Sequence, residues 1–120
     1  MKDDLFVGVT TWDSELFLEH CLRSIHNTTQ GLRIRIGVVD NFSTDRSVEI
    51  ARDMGAAVRM ERCSQAIALN RLLSMSMARH TLLIHSDVIL LSPDWYATCS
   101  RHLTGPVSYT HLTLPTIYSV

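Results

Sequence analysis

Two hydrophobic periods alternate along the chain, and this alternation restricts its fold more than any other feature. Four short apolar runs have the character of buried strands: LFVGVTTW (5–12), LRIRIGVVD (32–40), AAVRMER (56–62) and TLLIHSDVILL (81–91). Segments with helical spacing follow each of them: SELFLEHCLRSIHNT (14–28), STDRSVEIARDMG (43–55), SQAIALNRLLSMSMAR (64–79) and SPDWYATCSRHL (92–103). The sequence therefore predicts an α/β fold, with an open, mainly parallel sheet flanked by helices.

Local signals set the expected ends of the helices. Ser14 is a candidate N-cap of the first helix, and Gly55 is the expected C-terminal stop of the second. In the fourth helix, Ser92 is the expected cap and Pro93 the first helical residue. The pattern places one face of the third helix toward the core, with Ala66, Leu69, Leu73 and Met77 on it.

Composition excludes several classes of function. The formal net charge is -1 and the chain has a single lysine, so there is no basic field to recruit nucleic acid. The three cysteines form no C-x-x-C pair, which favours free thiols over a zinc site. No apolar run reaches the roughly 20 residues of a membrane span, and the N-terminus does not resemble a signal peptide. We therefore expect a cytoplasmic protein with no integral membrane segment in this chain.

The last fourteen residues differ from the rest. The segment VSYTHLTLPTIYSV (107–120) contains no Asp, Glu, Lys or Arg, and VSYTHLTLPT resembles the translation of a sequencing adapter. We therefore expect residues 107–120 to be a non-native tail. Residues 1–106 would then be the N-terminal part of a longer protein, incomplete at its C-terminus. The alternative is a genuine β-hairpin or edge strand, because Thr, Tyr and Val suit strands.

Polar side chains collect where three of the predicted strands end. In an open parallel sheet, ligands bind outside the carboxyl ends of the strands, so these residues are the candidate site. The first strand delivers Thr10, Thr11, Trp12 and Asp13; the second delivers Asp40, Asn41 and Ser43; the fourth delivers His85, Ser86 and Asp87.

The residues alone leave alternatives open for these groups. Ser43 suits helix capping, and Asp13 is an ordinary turn residue. Asp40 ends an apolar strand, so its carboxylate must be paired, either with a ligand or with N–H groups of its own turn. Asp87 lies between apolar residues, so either the chain turns there or a cation offsets the charge. His85 is a candidate second metal ligand or a structural donor.

The chain resembles a known family, the family 2 glycosyltransferases. Their GT-A fold is Rossmann-like. The resemblance covers about Leu5 to Leu103 and is carried, in order, by VGVTTWDSELFLEHCLRSI, IGVVDNFSTDRSVEIA, ALN and LLIHSDVILLSPDW. It implies a glycosyltransferase that moves a sugar from a nucleotide-diphospho-sugar donor to an unidentified sugar, lipid-linked or protein acceptor. Members of this family often act at the inner face of a membrane.

The resemblance also implies roles for individual residues. Thr11 and Trp12 match the loop that lines the nucleoside pocket, and Asp40 matches the acid that recognises the nucleobase. Asn70 matches an asparagine near the ribose and phosphates. Asp87 matches the last acid of the D-x-D motif, which carries the divalent cation, Mg²⁺ or Mn²⁺. The remaining residues predicted to bind nucleotide are Asp13, Asn41, Ser43 and Ser86.

Some positions depart from the family pattern. His85 stands where the first acid of D-x-D is usual, so the metal would bind more weakly or use the imidazole. Asp13 stands where asparagine is common, and Phe42 replaces a small residue. The general base for an inverting single displacement is expected in a C-terminal half that this chain lacks. We therefore expect the chain itself to be inactive; the alternative function is a degenerate GT-A domain that binds nucleotide or mediates assembly without catalysis.

Other parallel α/β families lack their required residues here. A response-regulator receiver needs a lysine at a late strand end, and the single lysine is Lys2. A dinucleotide-binding domain needs G-x-G-x-x-G after the first strand, and a P-loop needs G-K-[ST]; neither motif occurs. A related nucleotidyltransferase needs a glycine-rich, basic loop after the first strand, which is also missing.

Overall fold

The structure is a computed structural model that describes residues 2–101 and the backbone of 117–119. Strands and helices alternate as the sequence predicts. In chain order they are β1 Leu5–Thr11, α1 Glu15–Thr28, β2 Ile34–Asp40, α2 Ser47–Asp53, β3 Ala57–Met60, α3 Gln65–Met75, β4 His80–His85, β5 Val88–Leu90, α4 Trp95–Ser100 and β6 Ile117–Ser119.

The main sheet has the order β3-β2-β1-β4, and every pair in it is parallel. Strand β1 is buried over its whole length and pairs with β2 on one side and β4 on the other. The register sets Thr11 opposite Asp40 and Thr10 opposite His85. The predicted open parallel sheet is confirmed, and its register brings the polar strand ends to one edge.

Two apolar layers cover the two faces of this sheet. Alternate residues of β1 point to opposite faces, as the period of a strand requires. Leu5, Val7 and Val9 pack in the larger core with α1, α2 and Trp95 of α4. On the other face α3 packs through Ala68 and Leu72 against Val39. The helices thus flank the sheet and leave its carboxyl edge open.

The predicted start of α1 is only partly right. Ser14 occupies the N-cap position, but its side chain accepts no hydrogen bond from the helix. Its hydroxyl donates instead to the carbonyl of Trp12, at 2.9 Å. At the other end of a helix, Gly55 does stop α2: its φ is +85°, and the N–H of Ala56 bonds to the carbonyl of Ala51.

The buried face predicted for α3 is wrong. Ala66 and Leu73 are exposed, and Met77 lies beyond the end of the helix. The buried residues are Ala68 and Leu72 instead. The predicted set and the observed set both place apolar residues at helical spacing. The period alone therefore does not tell which face of the helix packs on the sheet.

The fourth predicted strand is two strands. The chain turns at Ser86 and Asp87, between β4 and β5. The acidic residue within this apolar run therefore lies in a turn and not inside a strand. The helix after it begins at Trp95 rather than at Pro93. The N–H group at Nε1 of Trp95 donates to Thr28 Oγ1 at 2.7 Å and ties α4 to α1.

The predicted tail, residues 107–120, falls almost entirely outside the described residues. The backbone of Ile117–Ser119 forms β6, which pairs antiparallel with β5. Within the part of the chain that the structure describes, no helix is long and apolar enough to cross a membrane.

Close packing around strand β2 depends on glycine at position 37. A Cβ at Gly37 would lie 2.5 Å from Cζ of Phe6 and 3.1 Å from Cε of Met75. We predict that Gly37→Ala destabilises the fold by about 1–3 kcal/mol through overpacking, measured by urea unfolding. The matched control is Asn27→Ala on the exposed face of α1, expected within about 0.5 kcal/mol of wild type. Equal effects of the two substitutions would contradict this packing argument.

Candidate functional site

An open cleft of about 420 Å³ lies at the carboxyl edge of the sheet. Residues from the ends of β1, β2 and β4 and from the start of α3 line it together. Those at strand ends are Thr10, Thr11, Trp12, Asp13, Ser14, Val39, Asn41, His85, Ser86 and Asp87; the others are Phe17, Cys63, Ser64, Gln65 and Ala68. The edge that the sequence pointed to is therefore the edge that holds the cleft.

Hydrogen bonds join the loop after β1 to the loop after β2. The N–H of Asp13 donates to Ser43 Oγ at 2.8 Å, and the N–H of Thr44 donates to Asp13 Oδ1 at 2.7 Å. The N–H of Ser14 donates to Ser47 Oγ at 2.9 Å. Asp13 has a φ of +44°, a conformation that Asp tolerates better than most residues. Asp13 and Ser43 thus hold the two loops together at the edge of the cleft.

Asp45 caps α1 from the neighbouring loop. Its Oδ2 accepts from the N–H of Glu15 at 3.1 Å, and its Oδ1 accepts from the N–H and hydroxyl of Ser47. Burial alone would raise the pKa of Asp45, but the hydrogen bonds from Ser47 and Glu15 outweigh it and lower that pKa below its ordinary value. The carboxylate therefore performs the capping expected of Ser14.

Asp40 and Asn41 are placed differently, although they are adjacent. Asp40 is fully buried, and both its carboxylate oxygens accept from Ser43, from the N–H at 2.8 Å and from the hydroxyl at 2.6 Å. It is not among the residues that line the cleft, whereas the exposed Asn41 is. The structure therefore shows Asp40 bonded within its own turn, and its predicted role in reading a base stays a prediction.

A three-residue polar cluster spans the cleft between β1, β4 and α3. Thr10 Oγ1 lies 2.8 Å from His85 Nδ1. The Nε2 amide of Gln65 donates to Thr10 Oγ1 at 3.0 Å and lies 2.8 Å from His85 Nδ1. Thr10 is buried, while His85 and Gln65 are exposed. One nitrogen of the imidazole is therefore already engaged by the protein.

Ser86 and Asp87 form the turn that closes this side of the cleft. Ser86 is buried and its hydroxyl donates to Ser14 Oγ at 2.8 Å, which links the β4 turn to the loop after β1. Asp87 is half-buried and lines the cleft. Burial, and after it the negative charge of Asp87, raise the pKa of the Cys21 thiol to about 12. Cys21 is therefore a protonated core residue and not a nucleophile.

The other predicted residues divide between the cleft and the surface. Trp12 is 63% exposed and lines the cleft, so its ring is available to a ligand. Thr11 Oγ1 is the one buried side-chain N or O atom of the described residues that has no hydrogen-bond partner, and Thr11 also lines the cleft. Asn70 is exposed on α3 and is not brought to the cleft.

The carboxylate oxygens that line the cleft fit a divalent cation that a bound ligand also coordinates. Two carboxylates line the cleft, Asp13 and Asp87, and Asp87, in the turn after β4, would hold the ion. No group of three or more His, Cys, Asp or Glu among the described residues is placed to hold a metal alone. Mg²⁺ is commonly bound by one or two carboxylates together with phosphate oxygens, so this set is sufficient when a phosphate completes it.

Gln65 is the residue of this site that sequence reasoning missed. It bonds to two strand-end residues, Thr10 and His85, from the first turn of a helix that is distant in sequence. A polar residue directly after the helix cap Ser64 was the only available signal, and such residues are common at solvent-exposed helix starts. The parallel sheet brings this helix start to the cleft, which a local reading does not show.

Comparison with known families identifies the family of the chain. The sequence model described as "Glycosyl transferase family 2" matches residues 6–114. The chain belongs to glycosyl transferase family 2. The match extends into the segment predicted to be a non-native tail, and that prediction stays untested. Comparison with curated protein sequences finds no match.

Solved structures of similar fold support the GT-A architecture. The mannosyltransferase PcManGT from Pyrobaculum calidifontis, in complex with GDP-Man and Mn²⁺, superposes with a TM-score of 0.73 at 23% identity, over 88% of this chain and 34% of that one. Glucosyl-3-phosphoglycerate synthase from Mycobacterium tuberculosis, with Mn²⁺ and UDP, gives 0.66 at 25% identity, over 79% and 37%. S. aureus TarS 1–349 with UDP-GlcNAc gives 0.67 at 20%, over 82% and 30%.

The family 2 chain described here spans about a third of the length of these neighbours. Its four-stranded parallel sheet with flanking helices is the GT-A fold, as predicted. These three neighbours were solved with nucleotide sugars or nucleotides, two of them with Mn²⁺.

The Asp45 cap gives a prediction about stability and pH. Asp45→Ala should lower the free energy of unfolding by about 1 kcal/mol near neutral pH, because the N–H of Glu15 loses its acceptor. Because the folded-state pKa is lowered, the contribution is present above the unfolded pKa of about 3.9 and is lost as the pH falls through the folded pKa.

Urea unfolding at a series of pH values measures this effect. The stability difference between wild type and Asp45→Asn should shrink as the solution is acidified below pH of about 4. Asn27→Ala, which removes no ionisable group, should show a difference that does not change with pH. A gap between wild type and Asp45→Asn that persists undiminished in acid would show that the carboxylate charge is not what stabilises the cap.

Proposed function

We propose that this chain is the donor-binding part of a glycosyltransferase that transfers a sugar from a nucleotide-diphospho-sugar to an acceptor, with inversion. The observation that carries the proposal is the cleft at the carboxyl edge of the sheet, where Trp12, Asn41 and Asp87 meet from three strand ends. Membership of family 2 and neighbours in complex with GDP-Man or UDP-GlcNAc support it.

The dimensions of this edge suit a nucleoside diphosphate. Asn41 follows β2 and Asp87 follows β4, and β1 lies between them in the sheet. Two strand spacings separate the two ends by about 10 Å. That distance is comparable to the reach of a nucleotide from its base to its phosphates. The base would then lie at the β2 side, against Trp12, and the diphosphate at the β4 side, near Asp87.

The charge of the cleft supports metal-dependent binding. Its lining includes the carboxylates of Asp13 and Asp87, and no Lys or Arg of the described residues is among the lining residues. A diphosphate brought there without a cation would meet like charges. A divalent ion held by Asp87 would offset this repulsion and the negative charge that develops on the leaving diphosphate.

The base of the nucleotide is proposed to contact Asn41 rather than Asp40. Asn41 is exposed in the cleft, whereas both carboxylate oxygens of Asp40 are occupied by Ser43. An amide both accepts and donates, so Asn41 pairs with the adjacent N–H and C=O groups of uracil, thymine or guanine. Asp40 then acts through the turn that sets the position of Asn41.

Acceptor binding and the general base are proposed to lie outside residues 2–101, since the neighbours are about three times as long as this chain. A second candidate function is a divergent domain that binds nucleotide or mediates assembly without catalysis. The observation in its favour is His85, which is bonded to Thr10 through Nδ1 and replaces an acid of the family motif.

Calorimetric titration of the 120-residue chain with UDP, dTDP and GDP, each with and without Mn²⁺, tests the donor site. We expect at least one nucleotide to bind in the presence of metal and to bind at least tenfold more weakly without it. Asp87→Asn should remove this metal dependence, because it removes the carboxylate ligand. A folded chain that binds none of the three nucleotides in the presence of Mn²⁺ would exclude the donor-site proposal.

Two adjacent substitutions separate binding from folding. Asn41→Ala should weaken nucleotide binding by about fivefold to tenfold, the effect of one or two lost hydrogen bonds, and leave the urea midpoint unchanged. Asp40→Asn should lower the urea midpoint, because it disturbs the bonds to Ser43. The reverse result would assign base recognition to Asp40: a folded Asp40→Asn variant that no longer binds nucleotide, and an Asn41→Ala variant that binds it as tightly as wild type.

A further inference from the structure

The cluster of Thr10, Gln65 and His85 determines which nitrogen of the imidazole carries its proton. The Nε2 of Gln65 is an amide nitrogen, and an amide nitrogen only donates hydrogen bonds. It lies 2.8 Å from His85 Nδ1, which Thr10 Oγ1 also approaches to 2.8 Å, so Nδ1 is the acceptor at this edge of the ring. In a neutral imidazole the proton is then on Nε2.

The Nε2 edge of the ring faces away from this cluster. His85 is exposed and lines the cleft, and no residue within 2–101 forms a hydrogen bond with its Nε2. A protonated nitrogen in this position is a hydrogen-bond donor that a ligand or water can satisfy.

We propose that Gln65 is a positioning residue of the donor site: it holds His85 as the Nε2–H tautomer, so that His85 donates a hydrogen bond to an oxygen of the nucleotide and does not ligate the metal. This inference rests on the proposed donor site. The nucleotide oxygen belongs to the ribose or the diphosphate, both of which carry acceptors.

In this arrangement neither nitrogen of His85 offers a free lone pair to a metal. Coordination requires a nitrogen lone pair, but the lone pair of Nδ1 is taken by Gln65 and Nε2 carries the proton. Hard divalent cations prefer oxygen ligands in any case, which leaves the ion to Asp87 and the phosphates. His85 in place of an acid thus substitutes a donor for an acceptor.

Gln65 is well placed to fix the ring because its own backbone is fixed. It is the first residue of α3, and the preceding Ser64 caps that helix by accepting from the N–H of Ile67 at 3.3 Å. The helix packs on the sheet through Ala68 and Leu72. The side-chain amide is further held by its bond to the buried Thr10.

Nitrogen-15 NMR of the histidine side chains reads the tautomer directly, without nucleotide or metal. In spectra in which the ring of His85 is neutral, the proton of the wild-type chain should be on Nε2, because Nδ1 faces the amide of Gln65. Gln65→Glu presents only acceptor oxygens to Nδ1, so the proton should move to Nδ1. A wild-type ring protonated at Nδ1 would overturn the proposal, since the amide of Gln65 would then be accepting through its oxygen.

Binding of UDP with Mg²⁺ tests whether the tautomer matters to the ligand. Gln65→Met, which keeps the length of the side chain but removes its donor, should weaken UDP binding by about fivefold to tenfold. In the His85→Ala background the same substitution should have no further effect, because Gln65 acts through His85. If Gln65→Met weakens UDP binding by the same factor in the His85→Ala background, Gln65 contacts the ligand directly and the positioning role is overturned.

The chain offers a matched control in Gln30, its other glutamine, which is exposed in the turn after α1. Gln30→Met and Gln30→Glu should change neither the His85 tautomer nor UDP binding. If the wild-type chain binds no nucleotide at all, the donor role of His85 fails together with the proposed function. The NMR result still decides whether Gln65 sets the tautomer.

Discussion

The cleft depends on the hydrogen bonding of β1 along both of its edges. Its seven residues are buried, and its parallel partners β2 and β4 end level with it. The ladder continues past the strands: the N–H of Asn41 bonds to Thr11 and the N–H of Ser86 bonds to Thr10, through their carbonyls. Because three strands end in register, the backbone holds the residues that follow them side by side, and side-chain bonds such as that of Ser86 to Ser14 are added to this arrangement.

The polar residues at this edge have two roles: some stabilise the loops and others line the cleft. Asp13, Asp40 and Asp45 are acceptors for N–H groups and hydroxyls of the two loops, so their carboxylates maintain the rim of the cleft. Trp12, Asn41, His85 and Asp87 line the opening of the cleft. An acid at a strand end is therefore weak evidence for ligand contact by itself, because loop N–H groups need acceptors as much as ligands do.

Much of the fold was predictable because the spacing of apolar residues along the sequence is periodic. Strand-helix alternation predicted the parallel sheet, and Gly55 predicted the end of α2 through its positive φ. The predictions of the buried face of α3 and of the start of α4 were wrong, because helical spacing does not fix the phase and capping residues occur at several offsets. The contact of Gln65 with His85 was out of reach, since it joins residues 20 apart through the packing of a whole helix.

The neighbouring positions of Asp40 and Asn41 bear on how such a domain diversifies. The acid is sealed inside the turn by Ser43, and the amide next to it stands in the cleft. A substitution at position 41 alters what the opening presents while every bond of the turn remains intact. Under the proposed function, substitutions that change recognition at position 41 are thus decoupled from substitutions that threaten folding.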